Sequence, residues 1–530
     1  MPLASTPSGR SDRCEMALVL DECDEAMARG QSERAFCRQA GVARSTLRDA
    51  AEREVFLDAP DATVTFFTSP EGQLFLRRVV FAAHVTMTLL GCCGVEVVCS
   101  FLRLSGLSPF VAPSFGAQLR LNTRLQQHLA AFGQAEQQRL GAAMPKKKIW
   151  LCEDETFFPR LLLVAIEALS GFVLVERFAE RRDSATWTEA IGTALGGLPV
   201  EVVGLTSDLA KGIVRHALTG LGVPVTPDLF HSEHDVTKEC AAPLASRVRK
   251  RERAVQQATE QGRDTTEMNQ ALAEARDQQQ RVRAAIDGMS EATHPYELAT
   301  GEGRAEEVVH EELDEMLDEI EAVADEAALS EASHAGIAKA RRTVAAIAAT
   351  IGAFHSRIDT ELERMHLPAG VEAAMRHRVL PALYLQAAAK RSRESEGRHR
   401  LEERARELVS PLQDEPTSPM MALSEAAVAE LLHQGEGWVA LYVRASSCVE
   451  GRNGQLSLRH HSLHTLGEAK LAALTVIHNF WSRREDGTTA AERFFEQKPL
   501  DLFEWLLDVM PDLPYPAQKR PRVAPPPLLN

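Results

Sequence analysis

Apolar positions along the chain change their period twice. Up to about residue 145 they recur at helical spacing, and between Lys148 and Val225 they fall into short, unbroken, β-branched runs. From Val236 to about Gly435 the helical spacing returns and the strand signal disappears. In the middle block, KIWLCEDETFF (148–158), RLLLVAIEAL (160–169) and GFVLVERFAE (171–180) predict three strands. A Ser-Gly pair forms a tight turn between the second and third. DSATWTEAIGTAL (183–195) predicts a crossover helix and VEVVGLTS (200–207) a fourth strand parallel to the first, with Val223–Val225 as a short fifth. The ends of strands one and four then lie side by side, and each empties into an acid, Asp154 and Asp208.

Before this block, residues 13–29 read as a helix, and SERAFCRQAGVARSTLRDAAERE (32–54) reads as two more. Ser32 is an N-cap, and Gly41 sits at the turn where positive φ is needed. The second of these helices presents Arg44, Ser45, Thr46 and Arg48, the polar face a helix-turn-helix offers to a major groove; a plain helical hairpin is the alternative. Residues 60–69 read as a loop or short strand, and 94–132 as helix, Ser-Gly break, helix, with Arg120 and Arg124 on one face suited to phosphate or to solvent. Val79–Leu102 carries no Lys, Arg or Asp over 24 residues, but His84, Glu96 and the Gly91-Cys-Cys-Gly94 break favour two buried helices over a membrane span.

After the strands, VPVTPDLFHSEHD (223–235) holds Asp228, His231 and His234, a string too incomplete for a zinc site. Residues 246–289 read as long helix or antiparallel coiled coil, and 306–329 as a charged, exposed acidic helix with Val308, Leu313, Leu317, Ile320 and Val323 at helical spacing. SPLQDEPTSPMM (410–421) reads as a linker. RASSCVEGRNGQLSLRHHSLHTL (444–466) is polar and basic, and KLAALTVIHNFW (470–481) is an apolar helix to pack on the sheet.

The strand block with its two terminal acids, followed much later by Ser-Ser-x-x-Glu-x-x-Asn at 446–453, resembles the core of bacterial insertion-sequence DDE transposases. The resemblance implies an RNase H-like mixed sheet split by a large all-helical insertion. Asp154, Asp208 and Glu450 would be the acidic triad for Mg²⁺ or Mn²⁺. Arg452 and Asn453 would contact DNA, and His231 would lie beside the site. Among Glu153, Asp154 and Glu155, strand alternation lets only one face serve, and the resemblance favours Asp154; Asp208 could equally cap a helix. Carboxylates converging from separate elements suit two-metal phosphodiester chemistry.

Composition alters little. The net charge of −16 looks unsuited to DNA, but residues 296–335 hold 14 acids against Arg304 alone, which leaves −3 for the rest of the chain. Nine cysteines form no C-x-x-C pair, and the N-terminus lacks an apolar signal core. The expected class is α/β plus α: a helix-turn-helix region (1–60), a second helical region (61–145), and an RNase H-like core in two parts (146–236 and 436–500). An all-helical insertion (237–435) separates those parts, and a C-terminal helix with a disordered, basic, Pro-rich tail (501–530) ends the chain. The expected function is a transposase that cleaves and transfers DNA strands at element ends, acting on double-stranded DNA as a homo-oligomer in the cytoplasm at the nucleoid, with no membrane. A transposase-derived DNA-binding regulator without nuclease activity is the alternative.

Overall fold

The computed structural model describes residues 13–55, 59–228, 233–234, 236–392, 394–415, 417–443, 446–463, 466–510 and 512–516. Most of these are helical, and they surround one mixed sheet of five strands. Strands β1 (Lys147–Phe158), β2 (Arg160–Glu167) and β3 (Val173–Phe178) form an antiparallel meander. The helix Ser184–Leu195 crosses over to β4 (Val200–Ser207), parallel to β1, and β5 (Val225–Pro227) adds parallel to β4, giving the order β3-β2-β1-β4-β5.

The sequence explains these elements locally. β2 is buried after its first residue, which is why it reads as an unbroken apolar run rather than an alternating one. Gly171, at φ +75°, makes the turn into β3, and Asp183 caps the crossover helix by accepting the Thr186 N–H at 2.9 Å. A side chain at Gly204 would strike the Trp150 ring; Trp150 instead lies over β4 and donates its Nε1–H to Thr206 Oγ1 at 2.8 Å. On the outer edge of the sheet Asn479, from the helix Glu468–Phe480, accepts the Val173 N–H and donates to its carbonyl, both at 2.9 Å. That pair satisfies backbone groups an edge strand would leave open.

One apolar core runs from Leu76 to Val223 and resumes from Val449 to Leu513, so the sheet is packed by segments on both sides of the long helical stretch. A second core takes residues from Val236 to Tyr442 and is purely helical. A third, small one (Cys23, Ala26, Phe36, Cys37, Leu47) holds the N-terminal helices Arg13–Ala28, Glu33–Ala40 and Arg44–Val55 together. There the Ala35 N–H bonds the Ser32 hydroxyl at 3.3 Å, and Gly41 turns at φ +70°. The apolar stretch before the sheet is two buried helical segments broken at Gly91–Gly94, as its interruptions imply. One helix, Pro70–Leu90, is long and apolar enough by composition to cross a membrane, yet Leu76, Val80, Phe81, Val85 and Leu89 lie inside the core.

Four expectations need correction. Residues Asp61–Thr68 are a helix, not a strand or loop: the Phe67 ring packs at a tilt against Phe110, centroids 4.7 Å apart, and tertiary packing overrides the β-branched composition. The helix Ser395–Asp414 runs into the stretch read as a linker, because Pro411 falls in its last turn, near the end of the hydrogen-bond ladder. The acidic helix Glu306–Glu326 is not exposed all round: it buries an apolar face, with Val309 and not Val308 on it, one position round. The fifth strand starts at Val225, where pairing with Leu205 begins.

The helix Ser447–Leu463 is fastened to the sheet by a buried ion pair. Arg452 (4% exposed) makes two bonds to Glu176 of β3 (0%), at 2.7 and 2.6 Å, and Thr475 donates to the same carboxylate at 2.6 Å. Arg452→Ala leaves Glu176 buried without its cation and should cost about 3–5 kcal/mol. Arg452→Met with Glu176→Leu should recover most of that loss. Urea denaturation of the three proteins checks it: equal destabilisation of the single and double variants would show that the pair is not what matters.

Candidate active site

The last parallel pair of β1 and β4 is Cys152↔Thr206, so Asp154 and Asp208 each stand two residues further along neighbouring chains. The Asp154 carboxylate accepts the Glu155 N–H at 2.8 Å and the Asn453 side-chain amide at 2.6 Å. Asn453 lies on the helix Ser447–Leu463, one turn beyond Glu450 and on the same face, so the helix carrying the third acid rests on the strand carrying the first. A second stitch lies two residues back along the strand and five back along the helix. The Cys152 and Cys448 thiols hydrogen-bond to each other, and that bond, with burial, pushes the Cys152 thiol well up. Asp208 is exposed and folds back to accept the Ala210 N–H at 2.9 Å. It is not the cap of the helix Lys211–Arg215, whose cap is Ala210.

At the end of β5, Asp228 donates its N–H to the Ser207 carbonyl at 2.8 Å, and its buried carboxylate accepts the Ser446 hydroxyl. The start of the Glu450 helix is thereby tied to the ends of both β4 and β5. Neither Asp228 nor Ser446 stood out as a partner in the sequence. The first belonged to an incomplete zinc string, and nothing local pairs residues 218 positions apart.

Strand alternation at 153–155 holds. Glu153 and Glu155 face the crossover helix, away from Asn453. Glu153 is 0% exposed, and the His216 Nε2 lies 3.6 Å from it, an ion-pair separation too long for a hydrogen bond; neither Glu153 oxygen has a hydrogen-bond partner. Burial therefore raises its pKa. Glu155 accepts the Trp187 Nε1–H at 3.0 Å and lies 3.6 Å from Arg182; burial, against those contacts, also raises its pKa, with Asp208 adding repulsion.

The residues read as DNA contacts divide. Arg44, Ser45, Thr46 and Arg48 are exposed on the third N-terminal helix around buried Leu47, but Arg44 and Arg48 both bind Glu33, at 2.6 and 3.0 Å. Such exposed pairs are weak and exchangeable. Arg452 is no surface cation: it is buried on Glu176, so that reading is corrected. Asn453 is bound to Asp154 and is placed to orient it. Arg459 also turns inward, to the carbonyls of Leu90 and Gly91 at 3.2 and 3.0 Å. His231 lies outside the described residues.

Carboxylate oxygens are the donors a divalent cation prefers. As arranged, however, no three His, Cys, Asp or Glu side chains among the described residues gather around one point to hold an ion. Asp154 and Asp208 stand at the ends of adjacent strands, and Glu450 lies on the helix that Asn453 ties to Asp154; the three do not form a closed cage.

The buried carboxylate of Glu153, without a hydrogen bond, has a consequence for stability. With its folded pKa above the unfolded value, the folded state holds its proton longer, so stability falls as pH rises above the ordinary carboxylic-acid value of about 4.5. Glu153→Gln should therefore raise the melting midpoint at pH 7.5 by the equivalent of about 1–3 kcal/mol and change it little at pH 4.5. Scanning calorimetry at the two pH values would expose the opposite trend.

A family model described as a family of unknown function (DUF6399) matches residues 375–522. The match takes in the end of the helical stretch, the helix of Glu450 and the helices that follow it. No curated protein matches the chain.

Proposed function

We propose that this protein is a DNA strand-cleaving and strand-transferring enzyme of the DDE transposase type, built on an RNase H-like core. The observation that carries the proposal is the hydrogen bond from Asn453 to Asp154 at 2.6 Å. It brings a helix almost 300 residues downstream onto the end of β1, beside the end of the parallel strand β4. An antiparallel meander, a crossover helix and a parallel fourth strand are what the sequence resemblance calls for, and the order β3-β2-β1-β4-β5 supports it.

In this reading Asp154, Asp208 and Glu450 would hold Mg²⁺ or Mn²⁺, which when bound supplies activation of the attacking oxygen and neutralises charge on the leaving one. The chain's own contribution is positional. Asn453 fixes the rotamer of Asp154, and Asp228 through Ser446 fixes where the Glu450 helix begins. The buried Arg452–Glu176 pair keeps that helix from sliding along the sheet. The exposed polar face of the third N-terminal helix suits duplex DNA, with Glu33 giving way to phosphates on Arg44 and Arg48.

Nicking of a linear duplex should require Mg²⁺ or Mn²⁺. Asp154→Asn and Glu450→Gln should each lower the rate about a hundredfold or more. Asn453→Ala should lower kcat by less while leaving DNA affinity unchanged. Tight duplex binding with no metal-dependent nicking would instead assign the chain to the non-cutting regulators.

A further inference from the structure

Behind the strand ends, on the side opposite Asn453, lies a cleft of about 980 Å³ that the triad does not use. Its walls are the loop ahead of the crossover helix, which supplies Arg182 and Asp183, and the helix Lys211–Arg215 with the helical segment His216–Leu221 after it, which supply Lys211, Arg215 and Thr219; Glu155 closes the inner end. Lys211 and Arg215 lie four apart and therefore on one face of their helix. Both are exposed, and neither has a carboxylate within ion-pair reach among the described residues. Among the described residues the carboxylate against Arg182 is Glu155, at 3.6 Å, and it is already engaged by Trp187.

The two walls are held close by Gly212, where any Cβ would run into the Arg182 carbonyl. The absence of a side chain there brings the Arg182 rim and the Lys211 rim to one opening. Three cations share the opening with two carboxylates, Glu155 and Asp183, that are engaged elsewhere by Trp187 and by Arg181 and Thr186, so an added anion would find Lys211 and Arg215 open to it, and the cleft is far larger than one phosphate group needs. It also opens beside Ala210, two residues from Asp208.

We infer that this cleft is a second nucleic-acid site, in which Arg182, Lys211 and Arg215 receive successive backbone phosphates of the DNA flanking the bond to be cut. The inference rests on the proposed function for the identity of its polyanion. It extends that reading by naming a strand path across the face of the sheet away from Glu450. The contacts are with phosphate, so the site reads no base sequence.

The test uses the full chain and fluorescence anisotropy of a labelled mixed-sequence duplex across a salt series. Lys211→Gln with Arg215→Gln should weaken binding and lower the slope of log affinity against log salt by roughly 1.8, about 0.9 per lost phosphate contact. The control, Arg249→Gln with Lys250→Gln, removes the same charge from exposed positions on the helix Ala242–Glu260 and should change the slope less. Gly212→Ala, which keeps every charge but spreads the walls, should weaken binding as well.

Equal losses in the cleft and control variants, or an unchanged slope in the cleft variant, would overturn the inference. So would full displacement of the duplex by pyrophosphate at its ordinary millimolar competing range, which would make the occupant a small phosphate. The two readings fail separately. A cleft variant that binds like wild type while wild type still nicks DNA leaves the enzyme standing without this path. A wild type that binds through the cleft but never nicks leaves the path standing without the enzyme.

Discussion

Two charges taken wholly out of water, Arg452 and Glu176, are the constraint on which the rest of the site depends. A buried pair of this kind contributes little net stability, but it is severe about position, because neither partner can be left alone. With the bidentate contact and the Thr475 hydroxyl in place, the helix Ser447–Leu463 has one register on the sheet. That register sets Asn453 against Asp154 and the Cys448 thiol against Cys152. Moving the helix by a turn would break three polar contacts at once in an apolar setting.

Bringing a segment near residue 450 onto β1 would, for a flexible chain of that length, cost about 5 kcal/mol of loop-closure entropy. The intervening helices remove most of that cost by forming a body of their own. Val236 at their entry and Val439 and Tyr442 at their exit belong to the same core, and the Tyr442 hydroxyl bonds the Thr293 carbonyl at 2.8 Å. The chain thus leaves the sheet after β5 and returns nearby, as though across a short connection. The body is also docked on the sheet: Lys148 pairs with Glu361 at 2.7 Å, and the Arg357 guanidinium lies 5.9 Å over the Trp150 ring. Lys147, the neighbour of Lys148, is held instead by the C-terminal helices, bonding the Phe494 carbonyl and lying 3.5 Å from Glu496.

Wherever a local rule decides, the fold was legible in the sequence. Turn glycines at 41 and 171, the cap at Ser32, and the change from helical to strand period all name their elements correctly. Alternation along β1 also separated Asp154 from its two acidic neighbours. Local reasoning failed where partners are remote. Arg452 looks like a DNA-facing cation until β3 is known to run beneath it, and Asp228 looks like a stray ligand until Ser446 arrives. Residues 61–68 have strand-like composition, and only contact with the ring of Phe110 makes their helix intelligible. Basic residues near a suspected catalytic acid are poor guides to a DNA surface, because the same guanidinium geometry that suits phosphate suits a buried carboxylate.

Three consecutive acids at the tip of β1 pose a problem for any enzyme that must approach a polyanion, and the structure gives each a different solution. Glu153 is driven toward its neutral form by burial without hydrogen bonds. Glu155 is shielded by Trp187 and Arg182, and its ionisation is opposed by burial and by Asp208. Asp154 lies on the opposite face, where the Glu155 backbone and the Asn453 amide donate to it. Negative charge is therefore concentrated on the one face that meets the Glu450 helix and thinned on the other. The thinned face is where the unpaired cations Lys211 and Arg215 stand. A sheet that sorts its charge this way presents an anion-attracting side and a cation-attracting side within one strand's thickness, a separation that would suit the proposed function.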